Sequence, residues 1–213
     1  MTPEAPWPEL KAHIARRLTP LSAWRPADAA HGSDYDLNPM ARLHRELRPA
    51  AVLVPVVERP EGPTLLLTRR SDDLTTHAGQ VALPGGRSEP GEAPWDTALR
   101  EAQEEIGLDP ALVEVAGLSS GYETVTGFLV TPVVGFVRPG FQLALNAGEV
   151  AHAFEVPFNQ AIAPESYERR SLEWKGAQRY FYAMPFEDQL IWGATAGMLR
   201  ALHDRLFGAA EAA

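Results

Sequence analysis

The segment from Pro94 to Leu108, PWDTALREAQEEIGL, constrains the fold more than any other part of the chain. At about 100° per residue, Glu104 and Glu105 lie within roughly 60° either side of Glu101. Trp95, Leu99, Ala102 and Ile106 gather on another face, roughly 120° away. Pro94 suits the first helical turn, where its missing N–H costs nothing, and Gly107 suits a left-handed C-terminal cap. The apolar stripe demands a layer to pack on. The opposite face carries three glutamates at spacings where like charges repel. Such a face is ordinarily just solvated; a cation placed among the carboxylates relieves the repulsion, and a hard divalent metal with oxygen ligands answers that need.

The rest of the chain narrows the class. With 213 residues, 45% of them hydrophobic, it can build one good-sized core and no more than two. There is no cysteine, so disulfides, thiolate catalysis and cysteine-ligated zinc are excluded. The net charge of −9 argues against broad nucleic-acid binding, which depends on neutralising many phosphates. An anionic small molecule is still admissible if metals and local arginines reverse the field at a site; Arg69, Arg70 and Arg87 lie near the glutamate helix. No apolar run is long enough to span a bilayer, and the N-terminus lacks the basic-then-apolar order of a secretory signal. The expectation is a soluble, cytoplasmic protein with no membrane partner.

Residues 1–47 read as an accessory region packing on a compact domain at 48–208. In the former, Pro8 to Leu18 has helical apolar spacing with Pro20 as a stop, Arg25 to Pro39 is turn-rich, and Met40 to Leu47 reads as a short helix. In the latter, Ala51 to Val57 is a buried strand in which Pro55 hints at an edge or bulge. Thr64 to Thr68 completes a hairpin with it, and Val81 to Leu83 is a short strand. Further strands fall at 113–118, 131–137 and 149–156, with a hairpin of 169–174 and 178–184 about Lys175-Gly176. Leu190 to Leu206 reads as an amphipathic helix. The fold class is α+β, or an α/β/α sandwich.

The glutamate helix belongs to a longer pattern: Gly86, Glu92, Arg100, Glu101, Glu104, Glu105 and Gly107, with Ala102 and Leu108 apolar. Chance gives such a pattern at roughly 10⁻⁹ per start site. It resembles the Nudix box, with every fixed position present. The resemblance implies the Nudix fold, a mixed central sheet flanked by helices, and metal-dependent attack of water on a phosphorus of a diphosphate. It makes Glu101 and Glu105 metal ligands, with Glu104 a further or water-mediated one. The cofactor is Mg²⁺ or Mn²⁺, in one to three copies. Gly86, whose carbonyl is a candidate metal ligand, and Gly107 shape the backbone. Glu92 and Arg100 form a pair that orients the helix. Glu149, outside the box, is the candidate general base. The six histidines show no paired ligand spacing; His152 and His203 read as packing or surface residues. Trp192 and Tyr182 are core fillers or, alternatively, base-stacking residues.

The residues before the box point to a substrate. Leu66-Leu67-Thr68, Arg70-Ser71, Gly79 and Pro84-Gly85-Gly86 resemble the signature of coenzyme A pyrophosphatases, in register throughout. Thr75 stands where the pattern has arginine, and Leu83 where it has phenylalanine. The resemblance implies cleavage of coenzyme A or its thioesters to 3′,5′-ADP and (acyl-)4′-phosphopantetheine. Arg69, Arg70 and Arg87 would meet phosphates, and Ser71, His77, Gly79 and Gln80 would shape the adjoining loop. Two other readings stay open: another nucleoside diphosphate substrate, such as ADP-ribose or a dinucleotide, and a non-catalytic ligand sensor. The N-terminal region could cover the site, pack on the sheet or make a homodimer contact.

Overall fold

The computed structural model describes residues 1–25, 30–42, 45–174 and 176–208. The strands in chain order are β1 (Ala30–Ser33), β2 (Arg48–Val57), β3 (Thr64–Arg70), β4 (Val81–Ala82), β5 (Gly85–Arg87) and β6 (Val113–Leu118). They continue with β7 (Gly121–Glu123), β8 (Phe128–Val137), β9 (Val150–Pro157), β10 (Glu168–Trp174), β11 (Ala177–Phe186) and β12 (Gln189–Trp192). The helices are α1 (Trp7–Arg17), α2 (Pro94–Ile106), α3 (Phe158–Ile162) and α4 (Ala194–Phe207).

Two long apolar strands, β2 and β8, pair in parallel along their whole length at the centre of a mixed sheet, and β1, β3–β7 and β9 extend it. Beyond β8 lie β6 and β7, both antiparallel to it, and β1 adds in parallel to β7. The other side of β2 is shared between β5, at Ala50–Val52, and β3, at Val56–Val57. β9 borders β3. Because strand side chains alternate faces, the sheet feeds two cores. Ala50, Val54 and Val56 of β2 join α1, α3 and α4 in one core; Ala51, Leu53 and Val57 join α2 in the other. The result is an α/β/α sandwich in which, among the described residues, α2 is the only α-helix on one face. The small antiparallel sheet β10–β11–β12 packs beside α4.

Several expectations need correction. Pro55 lies in a central strand, not at an edge or bulge. Leu53 N–H donates to Pro84 O at 2.8 Å, so two residues on, Pro55 faces the same side, in the gap between the β5 and β3 pairings where no donor is required. The expected helix at Leu190 is a strand as far as Trp192, and Gly193, at φ 63, separates it from α4. The apolar spacing there fits both elements, and the glycine was the missed punctuation. Within the turn-rich stretch 25–39, β1 forms, while residues 26–29 lie outside the described residues. Instead of a helix over 40–47 there is a single 3₁₀ turn, Pro39–Ala41, with residues 43 and 44 outside the described residues. The β10–β11 hairpin forms, although Lys175 at its turn is also outside them.

The N-terminal segment is welded to the sandwich. Leu10 and Ile14 of α1 are fully buried. Arg17 donates to the Arg205 carbonyl of α4 at 2.9 Å, and Thr19 bridges to Leu118. Asp34 accepts from Tyr122 Oη at 3.1 Å and from the Val125 N–H at 2.7 Å, tying β1 to β7 and the following turn.

Candidate active site

The helix α2 starts at Pro94 and stops at Gly107, whose φ of 68° lets its N–H cap carbonyls of the last turn. Its carboxylates do not share one environment, as a single outward face would require. The Glu105 side chain is only 5% exposed, packed between α2 and the sheet on the Ala98–Ala102 side. Glu101 is half-buried, and the Glu104 side chain is 57% exposed. The helix sits low over β5, so its carboxylate face is graded from core to solvent.

Burial pushes the Glu105 carboxyl up to about 7; the Gly85 N–H, at 3.1 Å from Oε2, pulls the other way, while Glu101 and Glu149 add repulsion. Arg70 Nη1 stands 4.0 Å from Glu105 Oε1 and favours the charged form. Burial also raises Glu101, offset by Arg100 at 2.8 Å and reinforced by Glu104 and Glu149. Glu149 thus lies close enough to repel both, from the turn before β9, where Asn146 Nδ2 donates to it at 3.1 Å. Its backbone carbonyl accepts from the Ser71 N–H at 2.8 Å.

Gly86 is required by contact. A Cβ there would stand 2.5 Å from Glu101 Oε2, so the carboxylate lies directly on the glycine backbone. Arg100 ties the loop to the helix. Its Nε donates to Glu92 Oε1 at 2.9 Å, its Nη2 to Glu92 Oε2 at 3.0 Å and to the Arg87 carbonyl at 3.2 Å. Nη1 also reaches Glu104 at 3.2 Å. Arg100 bonding holds the Glu92 carboxyl down at about 2, helped by the Glu89 N–H and Thr97 Oγ1. A protein cation therefore already sits among the glutamates, a partner that wheel geometry alone did not supply.

The loop residues divide. Arg70 is directed at the carboxylates, and its buried Nε has no hydrogen-bond partner among the described residues. Arg69, its neighbour on the opposite face of β3, is engaged with Asp72 at 2.7 and 3.0 Å. Gly79 packs against that Arg69–Asp72 pair. Ser71 is buried, and its Oγ accepts from the Asp73 N–H at 3.4 Å. His77 Nδ1 and Gln80 Oε1 lie 2.8 Å apart on the exposed loop. Arg87 is exposed at the rim. His152 stacks on Phe154, and the His203 ring lies tilted against Phe207. Tyr182 lies under Arg200 and Trp192 meets Phe181 edge-on.

Two carboxyl groups, Glu101 and Glu105, thus repel one another, with Glu149 adding to the repulsion of both, and this donor set fits a hard divalent cation. Among the described residues no three His, Cys, Asp or Glu side chains converge as a cage.

Beside the carboxylates, the loop Arg87–Pro90 separates a shallow recess at Glu101 from a cavity of about 690 Å³. That cavity is lined by residues from remote segments, among them Thr19, Trp24, Ser120 and Arg205. None was singled out from sequence, because no local pattern links them.

A family model described as the NUDIX domain matches residues 47–179. The chain is also similar to a Nudix hydrolase NudL of Photorhabdus laumondii subsp. laumondii, 44% identical over 165 residues, covering 77% of this chain and 88% of the relative. The chain belongs to the Nudix hydrolase family. A NudL of Yersinia enterocolitica is similar at 45% identity over 154 residues, 72% of this Nudix chain and 78% of the relative. Among solved structures, a C. elegans Ap4A hydrolase is similar over 53% of this chain and 83% of its own, at 20% identity and a TM-score of 0.47. Hydrolases of this family act on small-molecule diphosphates and need divalent metal ions. Among the described residues no helix is long and apolar enough to cross a membrane.

Proposed function

We propose that this Nudix hydrolase cleaves the diphosphate bond of coenzyme A or its thioesters, releasing 3′,5′-ADP and 4′-phosphopantetheine or its acyl form. The observation that carries the reading is Arg70. It occupies the in-register arginine position of the coenzyme A pyrophosphatase signature, stands 4.0 Å from Glu105 and leaves its buried Nε unpaired. A guanidinium held in this way is suited to a diphosphate oxygen. The Leu83 departure from the signature is conservative in kind, since Leu83 is buried in the core as an apolar filler.

Glu101 and Glu105 would hold the metal, Mg²⁺ or Mn²⁺, with Glu104 reaching it through water and Gly86 offering its carbonyl. The bound metal supplies neutralisation of the diphosphate oxygens. Glu92 and Arg100 keep the loop against the helix, so the two carboxylates are pre-positioned. Water attacks one phosphorus, the P–O bond to the bridging oxygen breaks, and the water proton passes to the Glu149 carboxylate. Arg70 and Arg87 meet the charge that develops on the phosphates, and the Ser71–Gln80 loop fixes Arg70 from behind.

Purified protein with Mg²⁺ or Mn²⁺ is incubated with coenzyme A, acetyl-coenzyme A, ADP-ribose and a diadenosine polyphosphate, and products are weighed by mass spectrometry. Release of 3′,5′-ADP supports the reading. Turnover of ADP-ribose or the dinucleotide with coenzyme A left intact overturns it, as does tight binding of one compound with none consumed.

A further inference from the structure

The cavity beyond the Arg87–Pro90 loop contains a cation that the proposed chemistry leaves unused. Arg205, in the last turn of α4, donates from Nη1 to Ser120 Oγ at 3.1 Å and from Nη2 to Thr19 Oγ1 at 2.7 Å. Its Nε is buried with no partner, and among the described residues it has no carboxylate in ion-pair range. Its surroundings add to the surplus: burial, and then the charge of Arg17, lower its pKa. Half-burying a guanidinium against two neutral hydroxyls leaves its charge uncompensated. The two hydroxyls point to the same place and can themselves donate to an acceptor.

The cavity has room for a nucleoside between that cation and the carboxylates. At about 690 Å³ it falls in the size range of small-molecule sites, and its wall includes the half-buried Trp24 ring, a surface on which a base can stack. The rim residues Arg87 to Pro90 belong both to this cavity and to the recess at Glu101. The path from Glu101 past Arg87 therefore leads into it. Of the acids on its wall, Glu92 is already bonded to Arg100 and Thr97, and Glu89 is exposed at the rim.

We propose that Arg205, with Thr19 and Ser120, forms a phosphate-monoester subsite for a second phosphate on the nucleoside end of the substrate, separate from the diphosphate that is cut. The assignment rests on the nucleotide-diphosphate reading above. A guanidinium with two flanking hydroxyls matches a dianion with three acceptor oxygens. Segments 18–25, 118–121 and α4 are thereby recruited to substrate choice.

The test measures binding by calorimetry, with adenosine 3′,5′-bisphosphate and AMP as probes, on the full chain. Wild type should bind the bisphosphate about 10- to 100-fold more tightly, the range carried by charge-assisted hydrogen bonds. Arg205→Met should erase the preference. Ser120→Asp, which leaves the helix packing alone and places a carboxylate against the guanidinium, should do the same. Equal binding of the probes by wild type, or a preference that survives in a folded variant, overturns the subsite. Coenzyme A and its 3′-dephospho form are assayed for turnover in the same preparations. Failure to cleave either, with the bisphosphate preference intact, overturns the proposed reaction and not the subsite. Equal kcat/KM on both forms, with no probe preference, overturns the subsite alone.

Discussion

Glu105→Gln separates the cost of the site from its use. In the metal-free protein, burial raises the Glu105 carboxyl from 4.5 to about 7, and the side chain is only 5% exposed, so solvent screening removes little. That difference corresponds to about 3 kcal/mol of unfavourable ionisation once the pH is well above 7. The sign follows from linkage. With the folded value above the unfolded one, the stabilising contribution is complete below pH 4.5 and is lost as the pH rises through about 7. Glutamine keeps an oxygen for the Gly85 N–H and carries no charge. In EDTA, the variant should therefore match wild type near pH 4 and exceed it by about 3 kcal/mol at pH 8, or about 6–12 °C in Tm for a chain of this size. Urea unfolding at the two pH values measures it. Adding Mg²⁺ or Mn²⁺ should stabilise wild type and leave the variant unmoved, because the ligand oxygen's charge is gone. A variant less stable than wild type at pH 8 in EDTA, or parallel pH profiles for the two proteins, would show that ionised Glu105 carries no burial cost.

Other consequences are as direct. Gly86→Ala places a methyl 2.5 Å from Glu101 Oε2; the displaced carboxylate should lower kcat about 100-fold with circular dichroism unchanged, and retained activity would count against the contact. Glu92→Gln should destabilise by about 2–3 kcal/mol at pH 7, since Arg100 holds this carboxyl down at about 2; the deficit in urea unfolding should shrink as pH falls from 4.5 towards 2. Arg70→Met should reduce kcat/KM by about 10- to 100-fold with unaltered melting, and an unchanged kcat/KM would remove Arg70 from the site. Leu10→Ala should cost about 2–5 kcal/mol, because α1 fills the core shared with α4.

How much was legible followed the range of the interactions. The helix from Pro94 to Gly107 and its apolar stripe are local patterns, and they emerge as read. Glu101 and Glu105 come together because three- and four-residue spacings share a face. The depth gradient along that face was hidden, since a helical wheel does not know that β5 lies under Glu105 and solvent over Glu104. Arg69 and Arg70 are both phosphate candidates in sequence, with Arg70 favoured by the signature register; strand alternation and the nearby Asp72 separate them in space. Leu190 to Trp192 carries spacing compatible with helix and strand alike; Gly193 marks the break, and sheet pairing with β11 makes the segment a strand. Thr19, Ser120 and Arg205 meet from three distant segments, with no shared pattern to announce them.

Turnover of coenzyme A with Mg²⁺ in ¹⁸O-labelled water, in wild type and Glu105→Gln side by side, tests whether a two-carboxylate metal site with Arg70 beside it hydrolyses a coenzyme A diphosphate. Wild type should release 3′,5′-ADP and 4′-phosphopantetheine in equal amounts, with one ¹⁸O atom per turnover on a phosphate of one product, and the variant should release neither. Unchanged coenzyme A with wild type, or equal turnover by the variant, would contradict it.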